Sequence, residues 1–395
     1  MQLGGPFIVA WLCLANVSSD ELTRTATSTD RAVQQPVSRG AGVVLSGTAS
    51  LTSPSPSARA GVTRSRAEVE AIIAKTGPTP PEWWNSVPVK YPPSLDLTWA
   101  EPGKQWDAQK NLGQYIWDVI NPNPARWREG VRLLHHVLTL NKDDPQKVEK
   151  TVNALARMYQ NLLQDWARAA FWWRKAAQIG GHSEASFAFE LGECYWKLGN
   201  RDMCVDLISG LDEDYTRNGS LIKLWADLGE LGKALKLAKE KAEFDLEDPA
   251  YLAAAEACRL AGRYAEALDF YRKITSLAEG SNDLKRNQER AAASIEAILL
   301  YDNLDLKRIP DGAHQSSSIA YNGPLHVVVT VKGARIESVQ VTKHTEKQFY
   351  SAITETTGRI IEKQGVKRID MTSGATITAE AIVNATAKAL AGGMK

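Results

Sequence analysis

Residues 370–390 read DMTSGATITAEAIVNATAKAL. A run of small and hydroxyl residues, Thr372-Ser373-Gly374-Ala375-Thr376, stands directly before a helix-periodic stretch. Ala379, Ile382, Val383, Thr386 and Leu390 fall on one face, which predicts an amphipathic helix from about Ile377 to Leu390, ended by Gly392-Gly393. One reading of the start is structural. Thr376 or Thr378 caps the helix, its hydroxyl accepting a free backbone N–H, and Glu380 in the first turn complements the helix dipole. That accounts for one hydroxyl, not for the whole of Asp370-x-x-Ser373-Gly374-Ala375-Thr376. The second reading is chemical. A first helical turn offers unpaired N–H groups and a partial positive charge, which suit a phosphate. Gly374 and Ala375 let a bulky group approach the backbone, and the Thr376 hydroxyl is placed for esterification.

Working back from this stretch, the period changes after Asn303. Leu325 to Val331 (LHVVVTV) alternates, with Val327, Val329 and Val331 on one side. Lys332 to Arg335 (KGAR) is a turn, and Ile336 to His344 (IESVQVTKH) is a second strand, so the pair predicts a β-hairpin. Glu346 to Gly365 reads as a helix broken near Gly358. Residues 304–395 therefore form a small α+β domain.

The pattern D-x-x-[S/T]-G-A-[S/T] at a helix start, after a hairpin and a helix, resembles the FMN-binding domain family. That domain occurs in the C subunit of sodium-translocating NADH:quinone oxidoreductase, the G subunit of Rnf-type complexes and many exported flavoproteins. The resemblance spans Asp311 to Leu390 and includes NGPLHVVVTVKGARIESVQVTKH. It implies FMN joined by a phosphoester to Thr376, installed from FAD by a dedicated flavin transferase outside the cytoplasmic membrane. Gly374 and Ala375 would then give access, and Asp370 and Ser373 would be recognised during transfer or lie near the phosphate. Two loops depart from the family. An aromatic approach to the first strand is replaced by DGAHQSSSIAYNGP, where Tyr321 is the nearest aromatic. A glycine-rich loop after the second strand is replaced by HTEKQFYS, with Phe349 and Tyr350.

Residues 109–303 are helical and repetitive. LLQDWARAAFWWRKA, WKLGNRDMCVDLI, ADLGELGKALKLA and RLAGRYAEALDFYRKI each run from a helix end through a turn into an amphipathic helix. The turns fall at Gln164, Gly199, Gly229 and Gly262, spaced by 35, 30 and 33 residues. Five positions later comes a small residue: Ala169, Cys204, Ala234 and Ala267. Glycine supplies the positive φ that reverses a chain after a helix, and the small residue lets two helices approach. A weaker copy places Ala125 at the turn and Gly130 at the small position. The pattern resembles the tetratricopeptide repeat family, a helix–turn–helix of about 34 residues stacked into a solenoid. It implies a scaffold for a peptide or partner protein, or a plain spacer for the C-terminal domain.

The N-terminal third has a different character. Phe7 to Ala15 (FIVAWLCLA) suits the apolar core of a signal peptide over residues 1–19, with Val17 and Ser19 at the cleavage zone, although MQLGGP carries no basic residue. Residues 20–65 are Ser/Thr/Ala/Gly/Pro-rich, which predicts a disordered spacer. Residues 66–108 hold a short helix at Arg66–Lys75 and a Pro/Trp-rich stretch expected to pack its rings on the next domain. Net charge is +1, with 47 basic and 46 acidic residues, so no global field favours nucleic acid. The four cysteines form no C-x-x-C. Cys194, Cys204 and Cys258 suit buried helix positions, with a Cys194–Cys204 disulfide the alternative in an exported chain. His135 and His136 are expected on opposite sides of one helix, and no metal site is expected.

The function expected from these readings is an exported, extracytoplasmic flavoprotein. It would carry electrons on FMN at Thr376 and use its repeats to dock a redox or membrane-complex partner. The alternative is an interaction scaffold whose C-terminal domain is flavin-free. A third reading, an enzyme acting on a small substrate such as a quinone, would need a further domain or pocket. No glycine fingerprint for NAD follows a strand.

Overall fold

The computed structural model describes residues 62–103, 105–181, 187–211, 219–244, 247–278, 280–346 and 351–394. The expected signal peptide, the spacer up to residue 61 and the pair Phe349 and Tyr350 lie outside these. The end of the expected spacer is built into the fold. The Arg64 N–H donates to the Gly199 carbonyl at 2.8 Å, and the Asn200 amide donates to the Arg64 carbonyl at 2.9 Å. Helix α1 (Arg66–Thr76) follows, opened by a capping box between Ser65 and Glu68.

The Pro/Trp-rich stretch is irregular and packed. Trp83, Trp84 and Trp99 lie against the helical core, the Arg132 guanidinium sits 4.1 Å over the Trp84 ring, and the Trp99 indole donates to Thr151. Short α2 (Leu112–Tyr115) and a π turn (Ile116–Ile120) lead into α3 (Trp127–Leu140). Ala125 sits in a 3-10 turn (Pro124–Arg126) and not in a left-handed reversal, so the weak first copy lacks the turn of the others. Gly130 nevertheless marks a close approach, since a Cβ there would meet Ile120 at 2.5 Å.

Four helical hairpins come next. They pair α4 (Pro145–Arg157) with α5 (Trp166–Ile179), α6 (Ala188–Lys197) with α7 (Arg201–Ser209), α8 (Gly219–Asp227) with α9 (Leu231–Phe244), and α10 (Glu247–Ala261) with α11 (Tyr264–Ser276). The four turn residues read from sequence all have positive φ: Gln164 +52°, Gly199 +94°, Gly229 +80° and Gly262 +79°. The four small residues, Ala169, Cys204, Ala234 and Ala267, are all fully buried. Spacing, turn and packing thus coincide in each hairpin. Cys194 and Cys204 are buried free thiols, not a disulfide, and Cys258 is also free. His135 points into Trp84, Tyr159 and Trp172, and burial, with Arg132 and Arg168 near, lowers its pKa to about 4. His136 stacks on Tyr91.

Helix α12 (Asn282–Leu300) leads to the α+β region. The expected hairpin is part of a three-stranded antiparallel sheet, ordered β1 (Gly312–Ile319), β2 (Pro324–Lys332), β3 (Arg335–Lys343). The first strand, GAHQSSSI, has small and polar residues where a buried strand usually shows Val or Ile, so its pattern was silent. Gly333 and Ala334 join β2 to β3 with φ of +58° and +59°, the left-handed pair of a two-residue hairpin turn. Helix α13 (Ala352–Lys363) runs unbroken through Gly358, where an added Cβ would meet nothing.

Helix α14 (Thr376–Gly393) is not amphipathic. Residues 378–387 are all buried, on every side of the helix. It packs across β1 and β2 and also touches α12 and α13. The apolar core beneath it runs on into the helical region: Val327, Ile382 and Leu390 share one cluster with Cys258, Tyr271 and Ile298.

Candidate functional site at the start of the last helix

The Asp370–Thr376 segment lies where the α+β region meets the hairpins. Gly374 takes φ +73° and is exposed, a conformation glycine adopts without steric cost. Ala375 occupies the N-cap position of α14, and no side chain caps it. The first-turn N–H groups are therefore not taken up by a capping hydroxyl. Neither threonine expected to cap does so. Thr376 is the first helical residue and half-buried, and the carboxyl of Glu256 on α10 lies near its side chain. The Thr378 hydroxyl donates to Glu346 at 2.6 Å. Glu346, buried at the end of β3, also accepts the Tyr321 and Asn322 N–H groups. It therefore ties the β1–β2 turn to the first turn of α14.

Asp370 is engaged in ion pairs. Its carboxylate pairs with Lys197 of α6 and Lys223 of α8, both at 3.1 Å, and with Arg359 of α13 at 3.4 Å. Burial opposes its ionisation, yet the three cations hold it well below the usual carboxylate range. Lys223 also pairs with Asp227 at 2.6 Å. Burial, then the Asp370 charge, pushes Asp227 up to about 7. Thr372 donates to Glu355 at 2.7 Å, which itself pairs with Arg359. Ser373 lines a narrow crevice with Gln164, Trp166, Lys197, Arg359 and Met371.

Glu380 is likewise not a dipole-facing surface acid. It is 3% exposed and pairs with Arg259 of α10 at 2.5 Å. It also accepts from Tyr271 and from Ser294. Arg259 donates further to Tyr301 and to Asn384. This closed network joins α10, α11 and α12 to α14, and its members satisfy one another as a buried ion pair requires.

The residues present fit a phosphate ester at Thr376. The helix start has no side-chain cap, and the preceding residues are Gly374, exposed and left-handed, and Ala375. Of the two nearby acids, Glu380 is neutralised by Arg259. Burial, then the Glu380 charge, pushes Glu256 up to about 8, so it holds a proton at neutral pH. Of the expected residues, Ser373, Gly374, Ala375 and Thr376 are contiguous at this end of the helix, whereas Asp370 is turned into the seam. Glu256, Glu346, Lys197 and Lys223 were not anticipated. The one local trace is in AAAEACRLA, where Glu256 and Arg259 are the two charges among alanines.

Residues 320–391 match the FMN-binding domain family. The match takes in β2, β3, α13 and α14 and begins just after β1. A curated protein of Treponema pallidum (strain Nichols), described only as an uncharacterized protein, is 35% identical over 113 residues. That stretch is 28% of this chain and 31% of that protein, so the chain spans about a third of the relative's length. No solved structure matches. The match supports a C-terminal FMN-binding domain, here preceded by a long helical region, and it suggests a flavin-binding protein.

Proposed function

We propose that this protein is an exported flavoprotein that carries FMN covalently on Thr376 and transfers electrons. The observation that carries the reading is Asp370-x-x-Ser373-Gly374-Ala375-Thr376 at an uncapped helix start, inside the region that matches the FMN-binding family. FMN supplies one- and two-electron chemistry; the protein supplies tether, orientation and tuning. Attachment through the phosphate leaves the ring system free. A flavin transferase acting on FAD outside the cytoplasmic membrane would install it, which fits the apolar N-terminal run. Among the described residues no helix is long and apolar enough to cross a membrane. The hairpins, with their tetratricopeptide-like turns, would dock a redox partner or a membrane complex.

The test is intact mass with in-gel flavin fluorescence under denaturing conditions, on protein exported from a host that has the transferase. The expected result is one FMN on the wild-type chain and none on Thr376→Val. An unmodified wild-type mass, with a control protein modified in the same cells, would overturn the reading. The four matching hairpins would then favour the second reading, an interaction scaffold with a flavin-free C-terminal domain.

A further inference from the structure

The segment that leads to Thr376 is walled in by the helical region. Asp370 pairs with Lys197 of α6 and Lys223 of α8, both at 3.1 Å. Met371, Thr372 and Ser373 line one narrow crevice with Gln164, Trp166 and Lys197 of the helical region. Met371, Thr372 and Ala375 are buried, and of residues 370–376 only Gly374 is exposed. A finished phosphodiester can use the open edge beside Gly374. Its formation needs more room, because a transferase carrying FAD must close around the Thr376 hydroxyl, and the hairpins already occupy one side of the segment.

We propose that Lys197 and Lys223 latch this segment through Asp370, and that FMN is attached only while the latch is open. The proposal rests on Thr376 being the attachment residue. In the open state Thr376 Oγ1 attacks the flavin-side phosphorus of FAD, in line with the bond that breaks. The Oγ1–P bond forms, the bond from that phosphorus to the bridging oxygen breaks, and AMP leaves with the electron pair. The hydroxyl proton is released to solvent, and nothing is oxidised or reduced. The charges at the seam are arranged so that it can part. Arg359, the third cation on Asp370, belongs to the α+β region and also donates to the Asp370 carbonyl, so it moves with the segment. Lys223 keeps Asp227 at 2.6 Å. Opening therefore leaves neither Asp370 nor Lys223 as a lone buried charge, the costly case. Where opening is rare and reclosing fast, the rate of attachment follows the open population. Weakening the latch then speeds attachment, the opposite of what losing a residue that binds the flavin would do.

The experiment uses the full chain made without transferase, then incubated with purified transferase, Mg²⁺ and FAD. Attachment is timed by intact mass for wild type, Lys197→Met, Lys223→Met, Lys197→Arg and Gly130→Ala. Each methionine variant keeps one lysine on Asp370 and so keeps the fold, read by circular dichroism. Both should take FMN about fivefold faster than wild type. Hydrogen exchange of the amides in 371–378 should rise by a similar factor in both, with that of 131–137 unchanged. Lys197→Arg, which keeps the ion pair, should match wild type. Gly130→Ala, whose added Cβ meets Ile120 at the start of the helical region, should match it too. Methionine variants that take FMN at the wild-type rate or slower would overturn this proposal alone. So would a Gly130→Ala chain as fast as they are, since attachment would then pass through general unfolding. A wild-type chain and variants that all take no flavin would overturn it together with the assignment of Thr376.

Discussion

Buried charges at the seam make the sharpest demands on single residues. Removing the Glu380 carboxylate would strand Arg259, so Glu380→Ala should cost about 3–5 kcal/mol, read from the urea unfolding midpoint. The acids around Lys223 give stability a pH dependence of two opposite signs. Asp370 is depressed in the fold, so its contribution is present above its unfolded value and lost as pH falls below about 4. Asp227 is raised to about 7, so its contribution is full below about 4 and lost as pH rises toward 7. Denaturation midpoints taken from pH 3 to 8 should therefore fall less steeply at the acid end in Asp370→Asn. In Asp227→Asn the decline between pH 4 and 7 should be flatter than in wild type. An unchanged profile in both variants would remove these groups from the account. The motif that ends at Thr376 was legible because its residues are contiguous in sequence. Glu256, Lys197 and Lys223 were not, because nothing local to them states what a distant segment will bring.

Elements were legible where their own residues fix their geometry. The hairpin turns are the clearest case: Gly199, Gly229 and Gly262 suit the sign of φ, and the period read from them and from Gln164 locates the four helix pairs. Their surroundings separate them. A Cβ on Gly229 would meet nothing, whereas one on Gly199 would run into the Val62 carbonyl. Gly229→Ala should then cost only the left-handed penalty, about 1–2 kcal/mol, and Gly199→Ala clearly more, by thermal or urea unfolding. Ala334 offers the converse. With φ +59° it bears strain that glycine would not, and Ala334→Gly should raise stability by about 1 kcal/mol. Elements that take their character from neighbours were misread. The break at Gly358 did not form because an exposed glycine weakens a helix without ending it. The one-faced view of α14 failed because its alanines and threonines are small enough to be enclosed on every side.

At the scale of the molecule, the α+β region and the last hairpins are packed against one another. They share an apolar cluster, the Arg259–Glu380 network and the Asp370 ion pairs with Lys197 and Lys223. A fragment of residues 304–395 would expose Glu380 and Asn384 without partners. It should show little cooperative unfolding and rapid proteolysis, while a fragment of 247–395, which regains α10, α11 and α12, should resist far better. Comparable protease resistance of the two fragments would count against the seam as a source of stability. The helical region and the small sheet domain were both visible in the sequence as separate patterns. Their union was not, since it depends on side chains that meet only after each part has folded.

The placement of Arg259 has a practical consequence. The recognisable segment, 320–391, looks like a portable cassette that could be cut out and fused elsewhere as a genetically encoded redox label. The charge partner of its buried Glu380 is supplied by a helix that begins at Glu247, so whoever grafts the label must bring that helix along. The smallest transferable part of this protein is set by a guanidinium, not by the boundaries of a motif.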